Sequence, residues 1–170
     1  TPGLNNLGIT LQELGRLEEA AVQFERALKI QPQNVDALFN RGALRQLQGR
    51  DEQAAESYAQ ALALEPRHAK ANNNLGLMAE LQGDFEKAVV HFGCAIEAEP
   101  GSAELLFNLG RALCGLGEFD AAAEAYRQAI EIDPDSGGAH NDLAAALQSL
   151  GRIDEAEAAY RRAIEVQPGV

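Results

Sequence analysis

Residues Leu75 to Pro100 read LGLMAELQGDFEKAVVHFGCAIEAEP. Five positions inside this stretch return every 34 residues along the chain. Gly83 belongs with Gly15, Gly49, Gly117 and Gly151, and Pro100 with Pro32, Pro66, Pro134 and Pro168. Ala88 belongs with Ala20, Ala54, Ala122 and Ala156, and Ala95 with Ala27, Ala61, Ala129 and Ala163. Phe92 falls in an aromatic series with Phe24, Tyr58, Tyr126 and Tyr160. Five such units fill all 170 residues, so the chain divides into 1–34, 35–68, 69–102, 103–136 and 137–170. A period of this length marks a helical repeat architecture.

Each unit reads as two helices. Leu4, Leu7 and Leu11 are spaced as one apolar helical face. Gly15 suits the left-handed position that ends a helix. A second helix is predicted from Leu17 to Ile30, with Glu18 and Glu19 in the first turn, where the helix dipole favours acid. Pro32 blocks continuation. Asn34, Ser102 and Ser136 then stand where they cap the next helix. Small alanines let helices approach closely, with the aromatic wedged between them. The run Asn72, Asn73, Asn74 is unusual inside a helix, because Asn side chains compete for backbone groups.

Composition agrees with an all-helical chain: Trp is absent, 46% of residues are hydrophobic and 24% are charged. The net charge of −12, from 14 basic and 26 acidic residues, argues against nucleic acid and against an anionic membrane surface. No apolar run is long enough to span a membrane, and no signal-peptide pattern appears. The chain starts at Thr1 and reads as part of a longer protein, so the missing signal says little about the parent. Cys94 and Cys114 lack metal-type spacing and read as unpaired thiols in a reducing, cytoplasmic compartment.

The pattern resembles the tetratricopeptide repeat family over all 170 residues. That family places a large apolar residue at repeat position 4, Leu-Gly at 7 and 8, Ala at 20, an aromatic at 24, Ala at 27 and Pro at 32. Leu75-Gly76 and Leu109-Gly110 match positions 7 and 8. Arg41 departs at position 7, Ala144 at position 8, and Asn72 and His140 at position 4, as packing departures that leave the fold intact. The resemblance implies a right-handed α-solenoid of five antiparallel helix pairs, whose first helices line a concave groove. It also implies a need for a polar end cap. None follows the fifth unit, so Ile164 and Val166 are expected to stay partly open and to allow end-to-end stacking.

A helical wheel at 100° per residue puts positions 4, 7, 8 and 11 on the packed arc and 5, 6, 9 and 13 on the open one. Position 6 reads Asn6, Asn40, Asn74, Asn108 and Asp142. Position 5 reads Asn5, Phe39, Asn73, Phe107 and Asn141. Leu77 and Arg111 stand at position 9, and Leu47 and Leu81 add exposed apolar groups at position 13. An Asn side chain offers an acceptor and two donors, so such a row suits the backbone of an extended peptide of any sequence. The row resembles the asparagine ladder of O-linked N-acetylglucosamine transferases. Equally, Asn at position 6 is common in these repeats and serves to orient neighbouring helices.

The carboxylate clamp of chaperone-binding relatives is not matched. Of its five positions only Asn40 and Lys70 fit. Groove acids outnumber groove bases, which favours a neutral or mildly basic partner. No catalytic constellation appears, no cofactor is implied, and His68, His91 and His140 are not spaced as metal ligands. Arg41 and Arg45, one turn apart, could grip a carboxylate, but their stems are expected to snorkel past the packed face. The expectation is a non-enzymatic scaffold binding an extended peptide. The alternatives are a substrate-recruiting segment of a larger enzyme such as a glycosyltransferase, and a homotypic assembly module.

Overall fold

The computed structural model describes residues 2–167, so Pro168 of the proline series lies outside the described residues. Ten α-helices and no strand occur among them. They are α1 (Pro2–Glu13), α2 (Leu17–Ile30), α3 (Val35–Leu47), α4 (Asp51–Leu64), α5 (Ala69–Leu81), α6 (Phe85–Ala98), α7 (Ala103–Gly115), α8 (Phe119–Ile132), α9 (Gly137–Ser149) and α10 (Ile153–Val166). Each 34-residue unit thus holds one helix pair. The chain forms two compact units, Thr1–Leu75 and Gly76–Val170.

The turn inside each pair is made by a glycine. Gly15, Gly49, Gly83, Gly117 and Gly151 have φ between 70° and 76°, a region that L side chains rarely adopt. The helices α3, α5, α7 and α9 begin at side-chain caps. The Asn34 carbonyl oxygen accepts from the Ala37 N–H at 2.9 Å, and the Ser102 and Ser136 hydroxyls accept from Leu105 and Ala139 at 3.4 Å. The same place in the second unit is held by His68, whose Nδ1 accepts from the Ala71 N–H at 3.1 Å.

The core of the first compact unit joins Leu11, Ala20, Phe24 and Leu44, and separately Ala27, Leu28, Ala37, Leu38 and Ala61. In the second, Ala79, Ala88, Phe92 and Ala112 form one cluster, and Tyr126, Leu143, Ala144 and Leu147 centre another. Helix approach depends on the glycine at position 8. A Cβ added to Gly8, Gly42, Gly76 or Gly110 would lie 2.5–2.6 Å from the ring of Phe24, Tyr58, Phe92 or Tyr126. Ala144 takes that position in the fifth unit, and there Tyr160 is only half-buried, whereas the other four rings are buried.

Two expected packing departures are not flaws. Asn72 is 2% exposed, and its side-chain N–H groups reach the carbonyls of Pro66 at 2.9 Å and His68 at 3.3 Å. The buried His140 does the same, with Nε2 2.9 Å from the Pro134 carbonyl. A polar side chain at position 4 thus ties the helix to the proline turn before it, and the turn carbonyl gives the buried side chain its partner.

Candidate functional site

In the first compact unit the candidate face is built on α1, α3 and the start of α5. The Asn40 amide donates to the Asn5 carbonyl oxygen at 3.0 Å. The Asn74 amide donates to the Tyr58 hydroxyl at 2.8 Å, and that hydroxyl donates to Gln46 at 2.9 Å. Both position-6 asparagines are therefore held by one N–H. Each keeps its carbonyl oxygen and a second N–H outside these bonds. Asn6 is exposed, and its backbone carbonyl accepts from the Thr10 hydroxyl at 3.1 Å. Asn73 is half-buried.

The structure corrects the open-arc placement of Asn5, whereas Asn141 at the same repeat position is exposed. Asn5 is 8% exposed. Phe39 and Phe107 are half-buried, with ring centroids 5.7 Å from Tyr58 and 5.8 Å from Tyr126. Phe39 also meets His68 at 5.1 Å. The wheel describes one helix alone, whereas successive first helices such as α1 and α3 touch and close over the seam between them. Asn108 is likewise buried, at 5% exposure.

The paired identities at positions 5 and 24 went unread in the sequence. Where position 24 lacks a hydroxyl, as at Phe24, position 5 is Asn and anchors the next position-6 amide. Where position 24 is Tyr58, position 5 is Phe and the hydroxyl is the anchor. Phe92 with Asn73 and Tyr126 with Phe107 repeat the alternation in sequence, and Tyr160 with Asn141 in the fifth unit breaks it. The signal was the difference between Phe and Tyr, concealed by grouping both as aromatic.

In the second compact unit, Asn141 is exposed and donates to the half-buried Asp142 at 3.2 Å. The Tyr126 hydroxyl donates to the Cys114 sulfur at 3.7 Å. Burial pushes both the Tyr126 phenol and the Cys114 thiol above their usual ranges, and the Asp142 charge adds to each. Cys114 is therefore held as a thiol rather than a reactive thiolate. Arg111 forms an ion pair with Glu80 at 2.6 Å, so its charge is already answered. Leu77 is half-buried against Ala79, Ala88 and Phe92.

Family models described as TPR repeat match residues 8–49 and 110–151, and models described as tetratricopeptide repeat match 48–93, 79–127 and 138–169. The chain belongs to the tetratricopeptide repeat family. Among solved structures it is similar to one titled "Crystal structure of MamA", with 27% identity, 94% of each chain covered and a TM-score of 0.87. It is also similar to "MamA AMB-1 P212121", at 27% identity over 98% of this chain and 91% of that one, with a TM-score of 0.84. "Crystal structure of MamA protein" follows at 25% identity over 98% and 93%, with a TM-score of 0.86. No curated protein matches by sequence.

The tetratricopeptide repeat fold explains where Arg41 and Arg45 go. They stand at positions 7 and 11 of the second repeat, on the packed side of α3. Their head groups reach the buried Ser57 and the exposed Glu25, at 2.9–3.6 Å, and the side chains are only 14% and 23% exposed, which corrects the expected snorkelling. Leu47 and Leu81, by contrast, are exposed as expected, Leu81 at 87%. Among the described residues no cluster of His, Cys, Asp and Glu could hold a metal, and no helix is long and apolar enough to cross a membrane.

Proposed function

We propose that this tetratricopeptide repeat chain is a non-enzymatic protein-interaction scaffold whose first-helix faces hold an extended peptide through asparagine side chains. The carrying observation is the anchoring of Asn40 and Asn74. Each is fixed through one N–H and keeps its carbonyl oxygen for a ligand. Prior fixation lowers the ordering cost of binding. An extended strand advances about 3.3 Å per residue and packed helices lie about 8–10 Å apart, so one asparagine meets a peptide amide about every third residue. Asn6, Asn40 and Asn74 serve the first compact unit, and Asn141 with Asp142 the second. Asn5 and Asn108 are buried, and Asn5 supports the surface through its bond to Asn40. With Arg111 neutralised by Glu80, the exposed Glu104 and half-buried Asp142 favour a neutral to basic peptide.

The test is binding of peptides selected from a random library to the Asn6→Ala/Asn40→Ala/Asn74→Ala variant. Loss of affinity with unchanged helicity supports the reading, and unchanged affinity rejects it.

A second reading, end-to-end self-association, draws on α10. Ile164 is 65% exposed and borders two pockets of ≈ 320 and ≈ 310 Å³ that share Tyr160. Contacts of one end with the other are heterologous and build open chains. Light scattering over a concentration series, with Ile164→Asp as control, distinguishes a growing assembly from a constant mass.

A further inference from the structure

Positions 7 and 11 of the first helix are apolar in four repeats: Leu7 and Leu11, Leu75 and Ala79, Leu109 and Leu113, Leu143 and Leu147. In the second repeat both are arginine. Two neighbouring guanidiniums in packed positions carry desolvation and mutual repulsion. Burial, then the Arg45 charge, pushes the Arg41 pKa down. The side chains of Arg41 and Arg45 are only 14% and 23% exposed.

Their partners are polar but mostly uncharged. The Ser57 hydroxyl, fully buried, accepts from Arg41 Nε at 3.3 Å and from Arg45 at 2.9 Å. Gln60 accepts from Arg41 at 2.7 Å. Glu25 reaches both guanidiniums, at 3.6 and 3.4 Å, and its own side chain is 55% exposed. Two half-buried cations thus share the solvent-facing Glu25 carboxylate, with the Glu56 charge also acting on Arg41. Beside them α2, α3 and α4 enclose an open pocket of ≈ 770 Å³. Its apolar floor is Ala21, Val22, Leu28 and Leu38, and Arg26 and Lys29 add positive charge against Glu18 and Glu25. That volume is in the usual range of ligand sites.

We infer that this pocket docks an acidic segment of a partner protein, with one side-chain carboxylate on Arg41 and Arg45 and a neighbouring apolar side chain on Val22 and Leu28. Charge complementarity decides the occupant. In a chain of net charge −12, the pocket lining carries Arg26, Lys29 and Arg41 against Glu18 and Glu25, with Arg45 behind it on Ser57 and Glu25. Guanidinium forks match carboxylates in planar, bidentate geometry. The site is separate from the asparagine face, since Asn40 and Arg41 are successive residues about 100° apart around α3.

The probe is an acetylated, amidated hexapeptide of alternating leucine and glutamate, set against its leucine–glutamine counterpart. The side-chain Nε–Hε signals of Arg41 and Arg45 are followed by NMR. The glutamate peptide is expected to shift both signals saturably, and the glutamine peptide to bind at least about tenfold more weakly, the loss of a charge-assisted contact. Arg41→Leu/Arg45→Leu restores the apolar pair of the other repeats and, with helicity retained, is expected to abolish the shifts that the glutamate peptide causes in the Val22 and Leu28 methyl signals of the unaltered protein. Val22→Glu, at an exposed position, is expected to weaken binding about tenfold without touching the arginines. Asn6→Ala is expected to leave it unchanged. No saturable shift, or equal binding of both peptides, overturns the inference.

Discussion

The Asn74 side chain donates to the Tyr58 hydroxyl at 2.8 Å, so a core aromatic from one repeat orients a surface amide of the next. Tyr58→Phe removes this bond and the one to Gln46 while leaving a ring that Phe24 and Phe92 show to be compatible with the position. The expected cost is about 1–2 kcal/mol, since each net hydrogen bond contributes about 1 kcal/mol. Chemical denaturation measures it. Peptide affinity is expected to fall as well, because Asn74 loses its anchor.

Positions 5 and 24 are expected to be energetically coupled. Asn5→Phe alone strips Asn40 of its acceptor. Phe24→Tyr alone buries a hydroxyl, for which Gln12 stands where Gln46 serves Tyr58. Together they recreate the Phe39–Tyr58 arrangement. A double-mutant cycle is expected to return a favourable coupling of about 0.5–3 kcal/mol. Additive effects would show the alternation to be incidental.

Gly110→Ala is expected to destabilise despite the better helix propensity of alanine. Propensity returns at most about 1 kcal/mol, while a Cβ at 2.5 Å from the Tyr126 ring is overpacking that costs about 1–3 kcal/mol. Thermal unfolding gives the sign. Gly3, with nothing within 4 Å of its Cβ position, is the control at which alanine is tolerated.

Alkaline solution is expected to weaken the fold. Burial raises the Tyr58 and Tyr126 phenols above their ordinary value of about 10. The unfolded chain therefore loses these protons first. Their contribution is full below about pH 10 and falls as pH rises toward the folded-state pKa values. Melting temperatures between pH 8 and 11 should decline, and less so in Tyr58→Phe/Tyr126→Phe.

Helix limits, glycine turns and most caps were legible in the sequence, because a 34-residue period samples the same local physics five times. His68 as a cap was not, since its acceptor lone pair is seldom used there. Asn72 and His140 looked like flaws because the carbonyls of Pro66 and Pro134 that satisfy them become neighbours only on folding. A wheel ranked residues around α3 but not their depth, which the contact of α1 with α3 sets. Arg41 and Arg45 were misjudged for the same reason: Ser57 and Glu25 come from two other helices.

The central claim is recognition of peptide backbone by asparagine carbonyl oxygens. It is tested most directly by N-methylating, one amide at a time, a peptide selected from a random library. The account predicts that methylation at roughly every third residue lowers affinity about tenfold, the loss of one backbone hydrogen bond, while replacing most side chains with alanine changes little. Tolerance of N-methylation at every position, with affinity governed by side chains alone, would contradict it.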